Sequence, residues 1–227
     1  MLRQPSLFPR IGLLLSAFNT ADVESITMLR STTDRYGAIS RSLHWSIAVL
    51  MVALFALGWY MTEISYYDPW YKRAFDWHKA VGMLMFGLAA MRLIWSRLDR
   101  GPALLPETSA LERFAIHSSH FLLYAMTLLI PISGYFISTA EGSGIDVFGW
   151  FEVPALLPAS KGREELAGTL HYYQAYGTAY LVGLQALAAL KHQFQNRDGT
   201  LSRMLGQPEP RPSRAIPAQT KTEGHRA

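Results

Sequence analysis

The sequence predicts an all-α fold, a four-transmembrane-helix up-and-down bundle with both termini cytoplasmic. Three observations lead there. Half of the 227 residues are hydrophobic and only 17% are charged. The apolar residues gather in four runs, about 42–64, 77–98, 114–137 and 168–193, each long enough to meet the roughly twenty residues a helix needs to cross a hydrocarbon core. The basic residues then sort to alternate connections between those runs. Residues 36–205 form the membrane domain, 1–35 an extension and 206–227 a tail, both expected to lack packed structure.

Composition removes several chemistries. With no cysteine in the chain, disulfides, cysteine-ligated iron–sulfur clusters and thioether-attached haem are excluded. A formal charge of +4 is too small to argue for nucleic acid, and no nucleic-acid partner is expected. The partner that the runs require is membrane lipid.

In the extension, Pro9 and Arg10 precede an apolar patch at 11–18 that superficially suggests a signal peptide. The patch is short for a signal core and no clear small-residue cleavage site follows. Met28 offers an alternative start. The first span opens with Ser42, Leu43, His44 and Trp45 and ends in Trp59 and Tyr60, aromatics suited to the membrane–water boundary. The second begins Trp77-His78-Lys79 and holds Arg92 well inside its apolar sequence. A linker with Pro102 and Pro106 leads to the third, which carries His117 and His120 early and Pro131 and Gly134 late. Neighbouring helices can tolerate a kink at Pro131 inside a membrane. Residues 138–167 contain no run long enough to span and read as a loop over one face of the bundle, with room for a short interfacial helix. The fourth run carries no charge over 168–190 and places His171 near one end and His192 near the other.

Orientation follows from the flanks. Arg30, Arg35 and Arg41, then Arg97, Arg100 and Arg113, then Lys191, Arg197 and Arg203 lie on one side. The other side has Lys72, Arg73, Lys161 and Arg163, diluted by Asp68, Asp76, Glu141, Asp146, Glu152, Glu164 and Glu165. Positive flanks stay cytoplasmic, so both termini are expected inside.

With that topology the histidines acquire depths. His78 and His171 lie at one level near the outer face, on helices that run in the same direction. Ionisable groups inside a bilayer are costly and tend to mark function. Two imidazoles facing each other without cysteine or a nearby carboxylate suit axial ligation of a b-type haem. Gly82, Gly87, Gly177 and Gly183 would open space for that disc. The alternative is a pair of interfacial histidines bonded to loop carbonyls, and zinc would want more ligands than these.

Several motifs resemble the bacterial cytochrome b-561 family over about 36–205. They are Tyr36-Gly37-Ala38-Ile39-Ser40 with Leu43-His44-Trp45, Asp76-Trp77-His78-Lys79 followed by Gly82, Ile132-Ser133-Gly134-Tyr135, Val147-Phe148-Gly149-Trp150-Phe151, and Asp198-Gly199-Thr200-Leu201. Ser65-Tyr66-Tyr67-Asp68 with the Phe-Gly-Trp-Phe segment is similar to a subgroup found beside periplasmic lipocalin-like proteins. The resemblance implies a multi-pass protein of the bacterial inner (cell) membrane with two stacked b haems, exchanging electrons with quinone, ubiquinone among the candidates.

It further implies that His78 and His171 hold an outer haem and that His44 holds an inner one with a residue fourteen positions after His171, about 21 Å along a helix. That position is Gln185, where the chain departs from the pattern. Three readings stay open: the inner haem is absent, another histidine replaces the ligand (His120 or His117 ahead of His192), or His44 alone binds it. Arg92 is expected either to pair with a propionate or to reach the headgroups. The function implied is a membrane b-type cytochrome carrying single electrons between the quinone pool and a donor or acceptor on the periplasmic side, with superoxide oxidation known among relatives. The alternative is a haem-containing membrane partner of a periplasmic lipid-binding, lipocalin-like protein, with little redox turnover.

Overall fold

A computed structural model describes residues 28–102, 108–197 and 199–207. The frame is four long helices, α1 Ala38–Glu63, α2 Tyr71–Leu98, α3 Ala110–Ser138 and α4 Arg163–Lys191. α4 continues through a π-helical turn, His192–Asn196, and a short helix α5, Thr200–Leu205, follows. Most of the expected extension, including the signal-like patch, and nearly all of the expected tail lie outside the described residues.

Each long helix packs against its neighbours in sequence, and α4 closes on α1. Neighbours run antiparallel. Near the start of α1, Ser40 Oγ accepts a hydrogen bond from Trp95 Nε1 near the end of α2, at 2.9 Å. At the other end Gly58 of α1 faces His78 of α2. Likewise His120 and Ser133 of α3 meet Gln185 and His171 of α4 in reversed order.

α1, α2 and α3 are long and apolar enough to cross a membrane. Only 6%, 11% and 11% of their most apolar stretches are buried within the protein. Apolar surface so extensive needs a cover other than water, and lipid supplies it, so the chain is a multi-pass membrane protein. α4 has the length, but Glu164, Glu165, Gln174, Thr178 and Gln185 dilute its apolar character, and it falls outside that set. Three of the four expected spans therefore meet the requirement on their own composition. The helices also overrun the apolar runs. α2 begins at Tyr71 rather than 77, because the mixed-charge residues 71–76 continue the helix beyond the apolar stretch.

Local chemistry explains the boundaries. Ser109 and Glu112 form a reciprocal capping box at the start of α3, satisfying two donors that the first turn leaves open. Pro131 lies inside α3 without ending it. The connection to α4 does not contain the short helix allowed for it; it folds as an antiparallel hairpin, β1 Ile145–Val147 with β2 Phe151–Val153. The reason is a period of two: Ile145 and Val147 are buried against the protein while Asp146 faces out. β1 packs on α2. Phe148 and Gly149 turn the hairpin with φ of 55° and 72°, the twist a tight hairpin turn favours. Trp150 N–H closes it on the Val147 carbonyl at 3.0 Å. Tyr135 on α3 then fastens the following segment, donating its hydroxyl to Pro154 O at 2.8 Å and accepting from Leu156 N–H at 2.7 Å.

The opposite end is tied by a buried carboxylate. Asp99, just past α2, accepts from Ser31 N–H at 3.0 Å, Ser31 Oγ at 2.7 Å and Ser40 Oγ at 2.8 Å. Burial alone would raise its pKa, but the hydrogen bonds from Ser31 and Ser40 outweigh that and hold the carboxyl below the usual range. α5 is secured to α1 at the same end: Arg41 Nη1 and Trp45 Nε1 donate to the carbonyls of Leu205 and Met204 at 3.0 and 3.2 Å. The ring thus has a hairpin end and a terminal end.

Candidate functional site

His78 lies seven residues into α2 and His171 eight into α4, so both sit about 10–12 Å from the hairpin end of their helices. Their rings face each other with centroids 6.2 Å apart and planes at 74°.

The two are held differently. His171 Nδ1 lies 3.0 Å from the Ile130 carbonyl and 3.0 Å from Ser133 Oγ, both on α3. Ser133 Oγ is in turn 2.7 Å from Gln174 Oε1. His78 Nδ1 is buried with no hydrogen-bond partner. What fixes His78 is shape: a Cβ added to Gly58 would stand 3.2 Å from its Cε1. Gly134 plays the same part for His171, also at 3.2 Å from Cε1. Each imidazole therefore leans on bare backbone of the neighbouring helix. Gly82, Gly87, Gly177 and Gly183, expected to make room, have nothing within 4 Å of a would-be Cβ. Gly177 lines a groove of about 410 Å³ with Met126, Tyr173, Gln174 and Leu181.

The terminal end gathers a second set. His44 lies six residues into α1, while Arg92 and Gln185 each lie six before the ends of α2 and α4. Gln185 Nε2 is 3.1 Å from His120 Nε2. Arg92 places its guanidinium 5.5 Å from the Tyr124 ring centre, leaves Nη1 buried without a partner, and lies within electrostatic reach of His44 and His120. His117 Nδ1 lies 2.6 Å from the Arg113 carbonyl, and His192 Nδ1 lies beside Asn196 Nδ2 at 3.2 Å.

Among the described residues no three His, Cys, Asp or Glu side chains are grouped as a bare metal ion would require. A facing imidazole pair suits a group that brings its own equatorial donors, as haem does. The two rings, 6.2 Å apart, are close enough that both could hold one such group. The two glycine cradles, which leave room for each ring beside bare backbone, fit the same group. The reading as histidines bonded to loop carbonyls does not describe these contacts, since the carbonyl taken by His171 belongs to a long helix.

Ser133, Gln174, Gly58 and Gly134 carry no assigned role in the sequence reading. Ser133 and Gly134 stand in a recognised motif there, and only the helix–helix register reveals what they touch.

A family model described as prokaryotic cytochrome b561 matches residues 35–207. The chain is similar to cytochrome b561 homolog 2 of Escherichia coli K12, 42% identical over 176 residues that cover 78% of this chain and 94% of that protein. It is also similar to a probable superoxide oxidase CybB of Yersinia pestis, 27% identical over 75% of this chain and 96% of that one.

Proposed function

This chain belongs to the prokaryotic cytochrome b561 family, and we propose that it carries single electrons across the membrane, with His78 and His171 as the residues that would hold a b haem. The family implies the b-type haem and membrane electron transfer; the observation that carries the residue assignment is the pair of facing imidazoles, 6.2 Å apart at matched depth. When bound, the haem supplies a one-electron couple whose potential depends on ligation, hydrogen bonding and burial. The protein's part is to present two neutral imidazoles, to hold them with Gly58, Gly134 and α3, and to exclude water with apolar helix faces.

The same reading takes α4 as a fourth crossing and puts the terminal end in the cytoplasm of a bacterial inner membrane. Ubiquinone or another quinone is the proposed partner on one side, with a periplasmic donor or acceptor on the other. Superoxide is a candidate donor by likeness to the probable superoxide oxidase. The alternative role, a haem-containing partner of a periplasmic lipocalin-like protein, would use the hairpin, where Trp150 and Phe151 are exposed.

A second haem at the terminal end is favoured by one contact. His120 reaches Gln185, the place on α4 where the family resemblance expects a ligand. His44 and His120 would then be the ligands, with the partnerless Nη1 of Arg92 facing a propionate.

The test is haem-to-protein stoichiometry by pyridine haemochrome on detergent-purified protein made with haem supplied. A ratio near two is expected, falling by one in His78→Ala and His171→Ala, and by one in His120→Ala. A ratio near one that is lost in His78→Ala keeps the hairpin-end site and removes the second. Full haem in His78→Ala and His171→Ala would overturn the assignment.

A further inference from the structure

Two ligands of one iron need not be equivalent, and here their surroundings differ. We propose that Ser133 is a positioning residue for His171, accepting a hydrogen bond from its Nδ1–H together with the Ile130 carbonyl and passing the polarisation on to Gln174. The inference rests on the assignment of His78 and His171 as haem ligands.

A backbone carbonyl only accepts, so the 3.0 Å contact between His171 Nδ1 and Ile130 O places the imidazole proton on Nδ1. Nε2 is left with its lone pair, the tautomer a metal requires. Ser133 Oγ, also 3.0 Å from Nδ1, then accepts from the same N–H. Its own proton has two acceptors in range, Gln174 Oε1 at 2.7 Å and Ile130 O at 2.8 Å. Directed to Gln174, it completes a chain from Nδ1–H through Oγ–H to the Gln174 oxygen, in which each bond strengthens the next. Ser133 is only 6% exposed, so water does not compete for these bonds.

His78 has no such chain, because its Nδ1 has no partner. His171 is therefore the more electron-rich ligand, and the difference is set from α3, a helix that contributes no ligand to this pair. A more basic imidazole favours ferric over ferrous iron, so the Ser133 contact lowers the reduction potential of this haem.

The experiment is an anaerobic potentiometric titration with low-temperature electron paramagnetic resonance of the oxidised protein. The wild type is compared with Ser133→Ala, Gln174→Leu and His171→Ala, following the spectral component that disappears in His171→Ala. Ser133→Ala is expected to keep the haem, to move its potential upward and to alter its low-spin g values. Gln174→Leu should shift the potential in the same direction by less. An unchanged potential and unchanged g values in haem-loaded Ser133→Ala would overturn the proposal. If Ser133→Ala fails to hold haem, Gln174→Leu decides: an upward shift supports the chain and none overturns it. A wild-type spectrum in His171→Ala would instead defeat the ligand assignment.

Discussion

Asp99 collects three hydrogen bonds from two serines that lie far from it in sequence. Charge-assisted bonds of this kind are worth more than neutral ones, and removing the acceptor strands buried donors. Asp99→Asn should cost about 2 kcal/mol, read as a lower midpoint of thermal unfolding in detergent at pH 7. Because the folded carboxyl is held below its unfolded value near 4, its contribution is complete above that pH and fades as the pH falls through the folded value. The gap between wild type and Asp99→Asn should therefore narrow on acidification below about pH 4, and a gap constant across that range would sink the account. At this scale the sequence is legible where a residue type is rare for its surroundings. Histidines in apolar runs stand out, and His78 and His171 could be paired before any coordinates. Ser133 could not, since a serine in a membrane helix is common and its partner depends on the rotation of α3 against α4.

The elements divide by length. Twenty apolar residues announce a helix by their bulk, and α1, α2 and α3 follow the sequence closely. α4 is recognisable by its uncharged run, yet its polar residues keep it from the same apolarity. The hairpin was not legible. Its strands have three residues each, too few for a period of two to emerge from the glycines and aromatics around them. Its packing also depends on Tyr135, whose hydroxyl makes both of its contacts with the segment after β2. Tyr135→Phe should loosen that segment by about 1 kcal/mol, appearing as faster hydrogen exchange at 155–157 with unchanged haem content. Equal exchange rates in the two proteins would remove Tyr135 as its fastening.

Across the whole molecule, the described N-terminal and C-terminal segments are tied to the same end of the ring, through Asp99 and through Arg41 and Trp45. On the proposed topology that end faces the cytoplasm. The chain has no native cysteine, so single introduced thiols report sidedness without background. Lys161→Cys, beside the hairpin, should react with an impermeant maleimide in spheroplasts, and Gln207→Cys only after the membrane is broken. The reverse pattern would invert the orientation, and labelling of both in intact spheroplasts would deny that α4 crosses. Charge asymmetry is what raises that orientation as an expectation from the sequence. The sequence offers His120 as a candidate to replace the ligand at Gln185; their direct contact depends on how far α3 slides along α4.

The placement of His78 on the second long helix and His171 on the fourth also has a consequence in time. While the chain is being made, His78 is finished and inserted long before its counterpart leaves the ribosome. The interval covers the rest of α2, all of α3, the hairpin and the first turns of α4. On the proposed assignment, a nascent chain released anywhere within that interval has one imidazole and nothing to face it. Capture of haem at this level thus distinguishes a completed polypeptide from a prematurely ended one.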